Sequence, residues 1–282
     1  MLKDQVPNSV EISSPTNESF AIETLDLTRR FGEMTAADHV NLRVPYGAIF
    51  GLLGPNGAGK STTIKMLTTL LEPSSGTARV AGFDIVSTPA DVRRRIGYVP
   101  QMLSADGGLT GYENLDLSAK LYGISRAERK PRITEALHFM GLTEPAHKLV
   151  KTYSGGMIRR LEVAQAMLHR PAVLFLDEPT IGLDPVARRT VWERLHDLRQ
   201  NYHMTVLITT HGMDEADELC DSLAIMHLGK VAVVGNPADL KAGIGPDATL
   251  DDVFVHYSGG TIQEEGNYRD IRRTRSTASR LG

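Results

Sequence analysis

The stretch Gly54-Pro55-Asn56-Gly57-Ala58-Gly59-Lys60-Ser61-Thr62 satisfies G-x-x-x-x-G-K-[ST] in full, with Gly54, Gly59, Lys60 and Ser61 at the fixed positions. That is the spacing of a phosphate-binding loop. Ala48-Ile49-Phe50-Gly51-Leu52-Leu53 before it reads as a buried strand, and Thr62-Thr63-Ile64-Lys65-Met66-Leu67 after it has the apolar spacing of a helix. Three glycines let backbone N–H groups turn inward, and the first turn of the helix presents unpaired N–H groups and a positive dipole end to an anion. In such a loop Lys60 adds a point charge on the β- and γ-phosphates, and Ser61 a hydroxyl for Mg²⁺. The competing reading is a glycine-rich turn before an ordinary helix, which leaves the strand-loop-helix order without a purpose.

With 282 residues the chain has room for one large domain or two small ones and for a substantial core. A formal net charge of −3 at pH 7 lacks the basic footprint of a nucleic-acid binder, so no nucleic-acid partner is expected. The single cysteine, Cys220, excludes an internal disulfide and a Cys-based zinc cluster; it reads as an inert core thiol from a reducing compartment. No window approaches the run of about 18 apolar residues that a membrane span needs. The first 19 residues are polar, carry Pro7 and Pro15 and lack the apolar centre of a secretory signal, so they read as a loose lead-in to a cytoplasmic protein. From Ser258 to Gly282 the chain is poor in apolar residues and carries Arg269, Arg272, Arg273, Arg275 and Arg280. A solvated tail is the expectation there, with contact to anionic lipid head groups as the sharper alternative.

Moving outward from the loop, residues 20–27 and 38–44 read as strands, with a turn at Arg29-Arg30-Phe31-Gly32 that exposes Phe31. Residues 77–81 and 96–100 read as strands around a helix over 89–95, the second strand ending at Gln101. A loop follows over 102–111, then helices over 110–122 and 125–140; Ser125 with Glu128 three residues on forms a capping-box pattern. Another helix starts at Ser154. Ala172-Val173-Leu174-Phe175-Leu176 is a continuous apolar run suited to a central parallel strand. Helix 185–199, strand 204–209, helix 214–219, strands 222–227 and 230–234 and helices 237–242 and 250–256 complete the pattern. Strands alternating with helices around an all-helical insertion give an α/β domain with a parallel core sheet.

Two further constellations carry chemistry. Asp177 and Glu178 stand side by side at the tip of the buried strand, where ligands of open α/β sheets collect. In a phosphate-loop enzyme the first carboxylate partners Mg²⁺ and the second orients or deprotonates the attacking water, although an acidic pair at a strand end also suits a helix cap. Tyr153-Ser154-Gly155-Gly156-Met157 opens an amphipathic helix with free N–H groups, a dipole and a hydroxyl for phosphate oxygen; Ser-Gly-Gly is also an ordinary loop and cap. Two phosphate-type helix starts so far apart invite a nucleotide sandwiched between two copies of the chain.

The ordered set of phosphate loop, Gln101, Ser154-Gly155-Gly156, Leu174-Phe175-Leu176-Asp177-Glu178-Pro179, Gly182-Leu183-Asp184-Pro185 and Thr209-Thr210-His211 resembles the nucleotide-binding domain of ATP-binding-cassette transporters, from about Phe20 to Gly235. Tyr153 to Met157, Thr180-Ile181-Gly182-Leu183-Asp184-Pro185 and Leu250-Asp251-Asp252-Val253-Phe254-Val255 are similar to the daunorubicin-resistance type of export ATPase. The resemblance implies a P-loop NTPase core with a parallel sheet, an N-terminal antiparallel β subdomain and an inserted α-helical subdomain over about 102–170, all within residues 20–257. It implies ATP and Mg²⁺ as ligands, with Phe31 stacking on adenine and Gly54, Pro55, Asn56, Gly57, Ala58, Gly59, Lys60, Ser61 and Thr62 cradling phosphates. Asp177, Ser61 and Gln101 would serve the metal, and Glu178 would be the catalytic carboxylate. Gln101 would reach the attacking water and His211 the γ-phosphate. Ser154, Gly155, Gly156 and Asp184 would act across a head-to-tail dimer. Three positions depart from the pattern: Tyr153 and Met157 stand where leucine and glutamine are usual, Met157 being unable to make the amide hydrogen bonds of glutamine, and Phe31 stands where tyrosine is more usual.

The partners implied are a second copy of the chain and a separate integral membrane permease, which places the chain at the cytoplasmic face of the cell membrane. Export is expected over import, because only about seventy residues follow His211, too few for a large appended β-domain. A non-transport cassette ATPase, for example one for iron–sulfur assembly, and the ATPase of an importer stay open as alternatives.

Overall fold

The computed structural model describes residues 20–258; the expected lead-in and nearly all of the arginine-bearing tail lie outside the described residues. The chain begins with β1 (Phe20–Phe31), β2 (Met34–Val40), β3 (Arg43–Pro45) and β4 (Ile49–Leu53), the phosphate-loop strand, and α1 (Lys60–Leu67) follows the loop. Next come β5 (Ser75–Val80), β6 (Phe83–Asp84), α2 (Pro89–Arg95) and β7 (Ile96–Val99). Three helices then run without an intervening strand: α3 (Gly111–Leu121), α4 (Arg126–Phe139) and α5 (Gly155–Met167). The chain returns with β8 (Val173–Asp177), α6 (Pro185–Tyr202), β9 (Thr205–Thr210), α7 (Met213–Leu219), β10 (Ser222–His227) and β11 (Lys230–Gly235), and closes with α8 (Pro237–Ala242) and α9 (Leu250–Tyr257).

Two sheets result. The six-stranded one has the order β11-β10-β4-β9-β8-β7; β11 pairs antiparallel and every other neighbour is parallel. The other is antiparallel, in the order β2-β1-β5-β6 with β3 also on β1. Parallel strands covered on both faces carry apolar residues at every position, and β4 and β8 are buried throughout. Pleat decides which core each side chain joins. Ile49, Leu53, Leu174 and Leu176 pack with the helices α3 to α7 and α9, while Phe50, Leu52, Val173 and Phe175 pack with α1 and the antiparallel sheet. Gly51, in the middle of β4, has a packing reason: a Cβ there would lie 2.7 Å from the Cys220 sulfur. Burial also pushes the Cys220 thiol up from its ordinary range, in keeping with an inert core thiol.

The strand pattern differs from expectation in three places. β1 continues through Arg29 and Arg30 to Phe31, because register shifts on either side of Arg29 break the period-two pattern that would have marked it as strand. The expected strand over 38–44 is two strands, β2 and β3, pairing with different stretches of β1. β6 is two residues long and leaves no periodicity to read. Helix starts were more legible: Thr110 and Ser125 cap α3 and α4 by accepting the N–H groups of Glu113 and Glu128.

Candidate functional site

Five parallel strands end on one rim of the six-stranded sheet, and four of them deliver parts of the site from their C-terminal ends. The phosphate loop follows β4, Gln101 follows β7, Glu178 follows β8 and His211 follows β9. Gly59, immediately before α1, has φ +101°, and a Cβ there would run into the Ala36 carbonyl oxygen, so both conformation and space call for glycine. The start of α1 carries no side-chain cap, unlike that of α5, where the Ser154 hydroxyl accepts the Met157 N–H at 3.3 Å. The open first turn of α1 thus keeps its donors for an anion.

Lys60 is 4% exposed and folds back along the loop, donating to the carbonyls of Gly54 at 2.7 Å and Pro55 at 3.1 Å. Its Nζ lies 3.5 Å from Glu178 Oε1, and Glu178 is 5% exposed. Burial pushes the Lys60 ammonium below its ordinary range, and the charges of Glu178 and Asp177 pull it back part of the way. The other oxygen of Glu178 accepts from Gln101 Nε2 at 3.4 Å and lies 3.4 Å from His211 Nδ1, with His211 about half exposed. The four residues expected to act in catalysis, Lys60, Gln101, Glu178 and His211, therefore meet at one carboxylate. Asp177 sits beside it, its Oδ1 taking a hydrogen bond from the Ser61 hydroxyl at 3.0 Å. Glu178 holds a left-handed backbone, φ +48°, which costs a non-glycine residue about 1–2 kcal/mol. The helix-cap alternative for the acidic pair is not what forms: Asp177 ends β8, and its carboxylate faces Ser61 and Thr209.

A second cluster lies at the starts of α5 and α6. Asp184 caps α6 by accepting the N–H groups of Val186 and Ala187, and a Cβ on Gly156 would lie 2.7 Å from Ala187 Cβ. Ser154, Gly155, Gly156 and Asp184 are thus neighbours. Among the described residues, neither Ser154 nor Asp184 has a hydrogen bond to the four residues around Glu178. Phe31 is 43% exposed at the end of β1, with the Arg29 guanidinium carbon 4.7 Å from its ring centroid.

Sequence reasoning passed over three groups. Thr209 touches the Asp177 carboxylate and the Glu178 backbone N–H. Arg29 stacks on Phe31. Arg159 and Glu162, one turn apart on α5, are each 2% exposed and pair at 2.9 Å. Arg159 donates to the carbonyls of Pro100 at 2.7 Å and Gln101 at 2.8 Å, while Glu162 accepts from the backbone of Ser104 and Ala105. An Arg-x-x-Glu pair on a face shared with buried Val163 and Ala166 was the available signal, because charges placed among core positions need partners.

Residues 37–181 match the family described as ABC transporter. The daunorubicin/doxorubicin resistance ATP-binding protein DrrA of Streptomyces peucetius is 47% identical over 82% of this chain and 69% of its own length. The Nod factor export ATP-binding protein I of Ralstonia nicotianae is 42% identical over 76% of this chain and 66% of its own. Among solved structures, a dimeric ATP-binding cassette in a post-hydrolysis state, bound to ADP and Pi, superposes with a TM-score of 0.68 at 25% identity, covering 76% of this chain and 98% of that one. The chain belongs to the ABC transporter family, as an ATP-binding subunit that hydrolyses ATP.

Proposed function

We propose that two copies of this chain close head to tail around two ATP molecules and, by closing and reopening, drive a separate membrane permease that exports its cargo. The observation that carries the reading is the convergence of Lys60, Gln101 and His211 on the Glu178 carboxylate beside the phosphate loop. In this reading the loop from Gly54 to Thr62 holds the triphosphate. Incoming phosphate oxygens take Lys60 away from the Gly54 and Pro55 carbonyls and from Glu178, which frees Glu178 to accept a proton from the attacking water. Gln101 orients that water, His211 contacts the γ-phosphate, and Phe31 stacks on adenine with Arg29 behind it.

The residues at hand fit Mg²⁺. Ser61 and Asp177 bring two oxygens within 3.0 Å of each other and Gln101 adds an amide oxygen. No group of three His, Cys, Asp or Glu able to hold a metal occurs among the described residues, which suits a cation that takes much of its shell from nucleotide and water. When bound, Mg²⁺ would supply neutralisation of phosphate charge.

Among the described residues Ser154 and Asp184 make no hydrogen bond to the Glu178 carboxylate, and in this reading they act, with Gly155 and Gly156, on the nucleotide of the other copy. Residues 20–257 form the nucleotide-binding unit, with the helices of about 102–170 as its insertion. No helix of the described residues is long and apolar enough to cross a membrane. In this reading passage belongs to the separate permease, with this chain at the cytoplasmic face. The relatives' names, one a resistance protein and one an export protein, favour export; the cargo in this reading is a drug, antibiotic, lipid or polysaccharide.

The Glu178→Gln variant tests this. It should bind ATP as tightly as the parent, lose turnover by roughly 10²–10⁴-fold, and accumulate as an ATP-dependent dimer in light scattering. An unaltered hydrolysis rate removes Glu178 from its role, and a variant that stays monomeric at saturating ATP, with or without the permease, removes the paired mechanism.

A further inference from the structure

Thr209 is fully buried on β9, where the parallel register sets it beside Asp177 of β8 on one side and Leu52 of β4 on the other. Its hydroxyl touches both site carboxylate residues. Oγ1 donates to Asp177 Oδ1 at 2.6 Å and accepts the Glu178 backbone N–H at 2.9 Å, and the Thr209 carbonyl accepts that same N–H at 3.2 Å. A hydroxyl has one proton to give, and here it goes to Asp177; the lone pairs serve Glu178.

We propose that Thr209 is a positioning residue for ATP hydrolysis, its hydroxyl fixing the Asp177 carboxylate and the Glu178 backbone in one arrangement. The proposal rests on the roles given above to Asp177 and Glu178. With the Ser61 hydroxyl 3.0 Å from the same oxygen, Asp177 Oδ1 is held by two donors, which fixes the carboxylate plane and leaves Oδ2 as the oxygen not engaged by either. Glu178 needs the support more, because its left-handed backbone is one that a glutamate rarely keeps unless its surroundings hold it. Two acceptors from Thr209 on one N–H provide that hold. Since Asp177 and Glu178 are consecutive, a single atom sets where one carboxylate sits relative to the other, and a misplacement of the order of an ångström costs roughly 10²-fold in rate. A valine would fill the same space and offer neither bond.

The test is Thr209→Val with Thr209→Ser as rescue, on the purified chain, reading equilibrium ATP affinity separately from turnover. Thr209→Val should lower kcat by about 10–100-fold, with KM and the Kd for ATP within about threefold of the parent and Thr209→Ser back within about threefold in kcat. A merely structural threonine would lower affinity and turnover together and would tolerate valine better than serine; that result, or a kcat for Thr209→Val within twofold of the parent, overturns the proposal. Thr209→Ala is the second hydroxyl-free variant, so poor folding of one leaves the proposal exposed through the other. Glu178→Gln run in parallel separates the two readings. If it keeps turnover, the Glu178 role and this proposal fall together; if it loses turnover while Thr209→Val keeps it, only the Thr209 assignment falls.

Discussion

Two buried ion pairs lie close to the loop that carries Gln101, and they are closed in different ways. Arg159 and Glu162 are neighbours on one helix, meet at 2.9 Å, and spend their remaining hydrogen-bonding capacity on fixed backbone groups of Pro100, Gln101, Ser104 and Ala105. Lys60, the first residue of α1, and Glu178, just past β8, are 118 positions apart and meet only at 3.5 Å, and Lys60 fills its shell with the carbonyls of the phosphate loop. Both cations are pushed below their ordinary range by burial and pulled back by the facing carboxylate. The difference lies in what else holds them. A buried pair that is geometrically complete acts as a clamp, here tying the Gln101 loop to the helix that starts at Ser154. A buried pair that is loose keeps its charges available, and a phosphate group can replace one partner with little rearrangement.

The strongest way to break this comparison is Arg159→Met. It leaves Glu162 buried and unpaired, and urea unfolding should show a loss of about 3–5 kcal/mol. A loss below about 1 kcal/mol would mean the clamp is not closed as described. Lys60→Ala should behave in the opposite sense. Its stability should change by less than about 1 kcal/mol, because a loose pair returns little of its desolvation cost, while ATP affinity falls by roughly 10–100-fold, measured by equilibrium binding. Comparable losses of stability in the two single variants would erase the distinction. The smallest effect is expected for Arg159→Met combined with Glu162→Met. With no charge left unpaired, the double variant should recover to within about 1–2 kcal/mol of the parent, the remainder coming from loop backbone groups that exchange side-chain partners for water. A double variant no more stable than Arg159→Met alone would show that the four backbone bonds, and not the charge pair, hold the loop.

Much of the site was legible because its parts are local. The spacing from Gly54 to Ser61 implies a loop shape by itself, since consecutive backbone N–H groups and a helix start need no distant partner. Ser154 is readable as a helix start for the same reason and does cap α5, whereas Asp184, expected to act across a dimer, also caps α6. Phe31 was placed correctly as exposed but on the wrong element, because the register shifts beside Arg29 hide a strand that continues to it. Thr209 carries no readable role within Thr209-Thr210-His211, since a threonine in an apolar strand looks like any β-branched core residue until its neighbours are known.

Spacing alone determined that the chain carries the phosphate-loop motif, a carboxylate pair at a strand tip and a second glycine-rich helix start at Ser154, because each is written in a few adjacent residues with their own chemistry. Which of these meet was decided only by the fold. Ser61 reaches Asp177 across 116 positions and Thr209 reaches it across 32. Those contacts depend on β4, β9 and β8 lying side by side in parallel with Leu52, Thr209 and Asp177 in register. A shift of one residue in a pleated strand turns every side chain to the opposite face, and no local pattern records which register the assembled sheet adopts.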